Sequence, residues 1–475
     1  MHSHHWRRRP GGRPRRRRLG RLAVVGGLVA GALGAFGVSA GPAGAAPSTW
    51  TVTPSPNVPA VGNDLVGVSC LSPRSCVAVG YEGDPTQPLI ESWNGTTWSI
   101  AHSPHLGQAG GELAGVSCFG PDGCVAVGSR GGQAPEPLVE SWDGATWSVV
   151  PVPEPTAPAT ARLSAVSCVG PSSCVAVGTG PPAGTLVESW NGSAWSVVAT
   201  PSSGPSDLDA VSCTSADSCA AVGYGDGGIE SLVEVWNGTA WTIAGSPSPN
   251  PQSDILTGVS CVDPGTCTAV GTEGGRGVVD TGNTSGTAWT AEPTPPAGVD
   301  GSILTGVSCS GPASCAAVGR YQDGPGDRTL IESWDGRSWS VTASPDPGTS
   351  SSLQGVSCPG PGFCVAVSFS YLDSPDQTLV ETGTIGPLTV VSTALPDATV
   401  GQPYSFTLQA SGGTPPYLWV SAPGRRWLDG LTLDPRTGVL SGTPAEPGSF
   451  TVTVAVVDAH QPPHVALAQL SLTVT

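Results

Sequence analysis

Apolar and polar positions recur along this chain with a fixed order. The segment Leu65-Val66-Gly67-Val68-Ser69-Cys70 returns as Leu113 to Cys118, Leu163 to Cys168, Leu208 to Cys213, Leu256 to Cys261, Leu304 to Cys309 and Leu353 to Cys358. Each copy is followed by five residues, a second cysteine and another apolar run such as Val77-Ala78-Val79-Gly80. The first cysteines are 48, 50, 45, 48, 48 and 49 residues apart, the length of a four-stranded propeller blade. In the first repeat the pattern predicts strand a over Leu65 to Cys70, b over Cys76 to Gly80, c over Leu89 to Trp93 and d over Thr96 to Ile100.

Turn chemistry supports the division. Asn94-Gly95 stands between c and d, matched by Asp143-Gly144, Asn191-Gly192, Asn237-Gly238 and Asp335-Gly336. Asn-Gly and Asp-Gly best tolerate the two positive φ angles of a type I′ hairpin, so that turn is expected here. Asn94-Gly95-Thr96 and Asn191-Gly192-Ser193 are also glycosylation sequons, but the turn reading covers the Asp-Gly copies as well.

The d strands carry Trp98, Trp147, Trp195, Trp241, Trp289 and Trp339, whereas the seventh repeat ends at Glu381-Thr382-Gly383 without one. The missing copy is at the other end, in Ser48-Thr49-Trp50-Thr51-Val52-Thr53-Pro54. Pairing of this segment with the last repeat would close the ring and remove its exposed edges. The prediction is an all-β chain: a seven-bladed β-propeller over residues 46–385, closed by its N-terminal strand, followed by an Ig-like β-sandwich over residues 386–475.

The fourteen cysteines form seven C-x5-C pairs: Cys70 with Cys76, Cys118 with Cys124, Cys168 with Cys174, Cys213 with Cys219, Cys261 with Cys267, Cys309 with Cys315, and Cys358 with Cys364. In an exported chain they read as local disulfides stapling the a to b hairpins, roughly 2 kcal/mol each by chain entropy. Metal binding is the competing reading. It needs closer cysteine spacing and more histidine than His102 and His105 supply. Each c strand also carries one acidic residue: Glu91, Glu140, Glu188, Glu234, Asp280, Glu332 or Glu381. A ring of carboxylates could hold a cation. In a two-residue hairpin, however, Glu91 would lie opposite Trp98 and accept its indole N–H, or a hydrogen bond from the adjoining blade.

Nine arginines between Arg7 and Arg21 precede an apolar stretch from Leu22 to Ala40, with Ala43-Gly44-Ala45 behind it. Residues 1–45 therefore read as a secretory signal peptide, against the alternative of an uncleaved anchor. The export route stays open. Without them, 36 acidic residues face ten arginines and no lysine, a formal charge of −26. No basic patch remains to follow phosphates, so nucleic acid is not an expected partner. Acidity keeps a secreted protein soluble and also favours divalent cations. The 67 Gly and 48 Pro argue against a helical chain, and their regular placement argues against disorder.

Function is expected on the propeller face formed by b to c loops and d to a connections, because these vary between blades while the C-x5-C and Asn-Gly turns opposite them do not. The candidate ligand-face residues are Tyr81, Asp84, Tyr224, Asp226, Tyr321, Asp323, Tyr371 and Asp373. No catalytic residue and no resident cofactor is assigned.

Residues 386 to 475 lack cysteine and alternate, as in Tyr404-Ser405-Phe406-Thr407-Leu408 and Phe450-Thr451-Val452-Thr453-Val454. Leu395-Pro396, Ala398-Thr399-Val400-Gly401, Gly412-Gly413-Thr414-Pro415-Pro416-Tyr417, Gly430-Leu431-Thr432-Leu433-Asp434, Thr437-Gly438, Leu440-Ser441-Gly442-Thr443-Pro444, Gly448 and Val457-Asp458-Ala459 complete a pattern. It resembles the Ig-like domain of the cadherin-like superfamily found in bacterial secreted and surface proteins, and departs from it at Arg425-Arg426-Trp427. The resemblance implies an extracellular adhesion or spacer module, with calcium as a ligand in some members of the superfamily. The propeller is similar to secreted actinobacterial repeat proteins. Ser92-Trp93-Asn94-Gly95-Thr96-Thr97-Trp98 is similar to the Asp-box hairpins of sialidase-type propellers, with one residue fewer before the glycine.

Together these features predict a secreted or cell-surface, non-enzymatic binding protein, monomeric, whose partner is an extracellular glycan or protein, with peripheral membrane association open. The alternative is a carbohydrate-active enzyme, a glycoside hydrolase or lyase using loop carboxylates.

Overall fold

The computed structural model describes residues 50–475 apart from 133, 154–159, 182–183, 202–203, 226–229, 248–253, 288, 293, 299–300, 325, 348–349, 361, 371–375, 386–387, 413–416, 422–429 and 459–462. The proposed signal peptide lies outside these residues. Among them no helix is long and apolar enough to cross a membrane.

Seven four-stranded antiparallel sheets follow one another, each with strands in the order a-b-c-d. In blade 1 these are Asn63–Ser72, Ser75–Glu82, Gln87–Trp93 and Trp98–Ala101. The seventh sheet takes Gly355–Gly360, Phe363–Ser370 and Gln377–Gly383 from the end of the repeats and its fourth strand, Thr51–Val52, from the beginning. Thr51 faces Thr382 and Val52 faces Glu381, and the Thr53 N–H donates to the Val380 carbonyl at 2.8 Å. Every a strand packs beside the a strands of both neighbouring blades, the first against the seventh included.

A repeated hydrogen bond fastens these innermost strands. The serine before each first cysteine accepts the N–H of the corresponding cysteine one blade on: Cys118 to Ser69, Cys168 to Ser117, Cys213 to Ser167, Cys261 to Ser212, Cys309 to Ser260 and Cys358 to Ser308, all at 2.9–3.0 Å. Cys70 N–H to Ser357 Oγ, at 2.9 Å, completes the circuit. An unpaired amide at the same place would cost about 1–3 kcal/mol, which explains serine in every copy.

The glycine ending the Ala-Val-Gly run of strand b in blades 1 to 6 has an equally local cause. Strand a bulges after its leucine, between Leu65 and Gly67 in blade 1, and this brings its backbone against strand b. A Cβ at Gly80 would lie 2.0 Å from the Asp64 carbonyl oxygen, and at Gly223 2.1 Å from that of Asp207. Blade 7 carries Ser368 instead, and there strand a begins only at Gly355. Gly223→Ala should therefore destabilise the propeller by about 2–3 kcal/mol or more. Urea unfolding with the disulfides intact measures this; an unchanged midpoint would refute the close approach.

All seven predicted disulfides are present, with Cα–Cα separations of 4.0–4.2 Å, and no free cysteine remains among the described residues.

The c to d turn differs from the expected one. Trp93 pairs with Trp98, so four residues make the connection, and Glu91 faces Ile100 rather than Trp98. Among Asn94 and Gly95 only the glycine has positive φ, at 94°, which excludes type I′. Asn94 Oδ1 instead accepts the backbone N–H groups of Thr96 and Thr97 at 2.9 and 3.0 Å. Asp143 does the same for Ala145 and Thr146 at 2.9 and 2.8 Å, so the turn needs a side-chain oxygen that Asn and Asp share. These backbone N–H groups hold the Asp143 carboxyl below its usual range.

Five blades stack a c-strand tryptophan on the d-strand one, with ring centroids 5.6–5.9 Å apart. Blades 5 and 7 have Gly282 and Gly383 there, and the rings of Trp289 and Trp50 occupy the space, 2.3 Å from where a Cβ would be.

The C-terminal unit has a core of Leu408, Trp419, Leu440, Val454, Val456, Leu470 and Leu472 between a sheet of Tyr404–Thr407, Leu431–Leu433 and Val439–Gly442 and one of Leu418–Ser421, Gly448–Val457 and Val465–Val474. His464 sits between Asp458 Oδ2, 2.9 Å from Nδ1, and Asp335 Oδ2 of blade 6, 3.0 Å from Nε2.

Candidate functional site

The face built by b to c loops and d to a connections holds two kinds of feature: tyrosine–carboxylate pairs and cavities. Tyr81 Oη donates to Asp64 Oδ2 at 3.0 Å, and Tyr224 Oη to Asp207 Oδ2 at 3.4 Å. Both carboxylates lie at the start of strand a and are buried. Burial pushes Asp64 up to about 7, against the opposing hydrogen bond from Tyr81. Burial, then the charge of Asp207, raises the Tyr224 hydroxyl. Arg162, from the start of blade 3, reaches across to Asp207 of blade 4, so one ion pair spans the boundary.

These tyrosines are thus anchored within their own blades rather than projecting as free tips. Tyr321 packs, partly buried, against the cluster of Val270, Leu304 and Trp339. Asp84 and Asp323 are exposed loop residues. Asp226, Tyr371 and Asp373 lie outside the described residues. The described candidates sit on blades 1, 4 and 6.

A cavity of about 520 Å3 opens on this face between blades 5 and 6. Among the described residues its walls are Gly274–Gly277, Thr294–Gly298 and Gly301–Ser302, with Arg276 as the one charged side chain. The described part of the lining is rich in glycine and proline and offers backbone groups.

The second cavity, about 450 Å3, is the central channel walled by the a strands. The residue after each leucine, bulged in blades 1 to 6, lines it: Val66, Ala114, Ser164, Asp209, Thr257, Thr305 and Gln354. Asp209 is the only ionisable residue of that lining among the described residues. Burial, then the charge of Asp207, pushes it up to about 7. It was missed in the sequence, although the signal was there: blade 4 alone places an acid at this position of the repeat.

The seven c-strand acids do not converge on a site either. Each is almost wholly buried inside its own blade. Ser103, in the connection leaving blade 1, donates to both oxygens of Glu140 at 3.1 Å, and Ser344, leaving blade 6, to both of Glu381 at 3.0 and 2.8 Å. Ser55 donates likewise to Glu91 Oε2, and Thr185 of blade 3 to Glu234 Oε1 at 3.3 Å. Burial pushes Glu91, Glu140, Glu188, Asp280, Glu332 and Glu381 up to about 7. Among the described residues no three His, Cys, Asp or Glu side chains gather as a metal site.

Fold and surface define a disulfide-stapled seven-bladed propeller joined to an Ig-like sandwich. Residues 386–475 match the family described as "Putative Ig domain". No curated protein matches the chain. Similar solved structures include YCF48 bound to D1 peptide, 14% identical over 71% of this chain and 95% of that one, with a TM-score of 0.48. YCF48 from Cyanidioschyzon merolae is 15% identical over 72% and 99%, at 0.47. The SapL1 lectin in complex with alpha methyl fucoside is 14% identical over 60% and 97%, at 0.42. At such identities the likeness concerns the fold alone.

Proposed function

We propose that this chain is a secreted or cell-surface binding protein without catalytic activity, presenting the b to c and d to a face of its propeller to an extracellular glycan or protein. The observation that carries this reading is the contrast between the two faces. One repeats the same disulfide and Asx turn from blade to blade; the other changes in every blade and contains the cavity beside Arg276. A rigid ring with one variable face is suited to recognition. The Ig-like unit serves as spacer or adhesion module, and calcium, if it binds, is a ligand of that unit.

Glycan and peptide arrays probed with the mature protein, together with turnover assays on the captured polysaccharides, test this. Binding without turnover, weakened at least about tenfold by Arg276→Ala, is the expected result. Turnover lost on mutation of a single loop carboxylate such as Asp84 or Asp323 would replace this reading with that of a glycoside hydrolase or lyase.

A further inference from the structure

The last strand of the sandwich, Val465–Val474, lies at the edge of its sheet and pairs with Gly448–Val457 on one side only. On the other side its second half is occupied. The Ser471 carbonyl accepts from Leu395, the Thr473 carbonyl from Ala398 and the Thr475 carbonyl from Val400. The odd-numbered residues therefore direct their backbone groups away from the sheet. Among the described residues no element pairs with Val465, Leu467 or Gln469 on that side.

Edges of this kind are normally protected by charge, proline, a bulge or shortness. None applies here. Residues 465–475 contain no charged residue, no proline and no glycine, and the register with the neighbouring strand runs unbroken over all ten residues. The side chains agree: Leu467 is 70% exposed and Val465 60%, the two most exposed large aliphatics among the described residues. An open ladder requires an extended strand as its occupant rather than a globular surface.

We propose that this edge pairs with the same edge of a second copy of the chain, in antiparallel register about a two-fold axis at Leu467. The monomer expected from the sequence is then the dissociated form. Covering of residues 471–475 by 395–400 restricts the free register to its first half, and that half is self-complementary. Val465 faces Gln469 of the second copy, Leu467 faces its own counterpart, and about six ladder hydrogen bonds form. Charge opposes a second copy less at this domain than at the propeller. Residues 386–475 hold five acids and three arginines, a net −2, whereas residues 46–385 hold 31 acids and seven arginines, a net −24. Two copies meeting through their sandwiches bring together the least repulsive parts of a strongly acidic protein.

Sedimentation velocity of the mature protein from about 1 to 100 μM should show a reversible monomer–dimer equilibrium. Leu467→Lys and Leu467→Glu should each weaken it at least about tenfold, by setting like charges opposite one another across the axis. Mixing these two variants should restore the dimer as a heterodimer, because residue 467 then faces its opposite charge. Leu467→Pro, which removes only an outward N–H, should leave the melting temperature nearly unchanged and abolish association. A wild-type protein monomeric throughout this range overturns the proposal. So does a dimer indifferent to the charge variants, or one that mixing fails to restore.

Discussion

A chain lacking residues 50–57 should lose the cooperative unfolding of the whole ring. Trp50 is only 1% exposed and packs among Ala316, Val318, Ile331, Leu353, Leu379 and Ile385, so it secures blade 7 to blade 6. Truncating such a tryptophan costs about 3–5 kcal/mol by itself. The deletion adds the pairing of Thr51–Val52 with strand c, the hydrogen bond from Ser55 to Glu91, and that from the Thr378 N–H to Asn57 Oδ1 at 2.8 Å. It also leaves Gln377–Gly383 as an open edge prone to aggregation. Calorimetry of the truncated and intact chains, with Trp50→Ala as the intermediate case, should give melting temperatures falling in that order. Equal melting temperatures would mean that the ring holds without its N-terminal strand.

The second large effect is a loss of stability as pH rises from about 5 to about 8. Six c-strand carboxyls titrate near 7 in the fold, while their ordinary values are 4.5 for Glu and 3.8 for Asp280. Between those limits the folded state holds more protons than the unfolded chain. Stability is therefore greatest below the ordinary values and declines as pH passes through the folded ones, by up to about 1.4 kcal/mol per pH unit for each group. Surface Asp and Glu are already ionised above pH 5, so they contribute little to the slope. Glu188 is the sharpest case, since both its oxygens are buried without a hydrogen-bond partner among the described residues. Glu188→Gln should raise the melting temperature at pH 8 and change it little at pH 5. A melting temperature independent of pH over this range, or the same shift at both values, would show that these acids remain ionised in the fold.

Much of the ring was legible because each blade repeats a local solution. Cysteine spacing placed the disulfides: residues six apart across a tight hairpin meet without help from elsewhere. Four strands per repeat followed from alternation and turn residues. The turn type was misjudged, since Asn-Gly states a preference for one hairpin but the actual register depends on where the two tryptophans stack. Tryptophan opposite tryptophan lengthened the connection to four residues and moved Glu91 away from Trp98.

Other residues were visible but not interpretable until blades stood side by side. The serine before each first cysteine looks like any small polar residue at a strand end; its role is to accept an amide from the neighbouring blade. The glycine after Val-Ala-Val looks like punctuation, whereas it yields to a bulge in the preceding strand. Two of the ligand-face tyrosines, Tyr81 and Tyr224, are tied to buried acids at the start of strand a, because burying those acids requires a donor.

By itself the sequence determined the repeat, the number of blades, the disulfide pairs and the two-domain order, since each is encoded within about fifty residues of chain. Tertiary structure alone decided which side chains meet between blades, that the seven acids are buried apart from one another, that Asp209 lines the channel, and that the first half of the final strand has no partner on its outer side among the described residues. Those outcomes depend on the curvature of a closed ring and on the packing of a sandwich, which bring together residues whose separation along the chain carries no local signal.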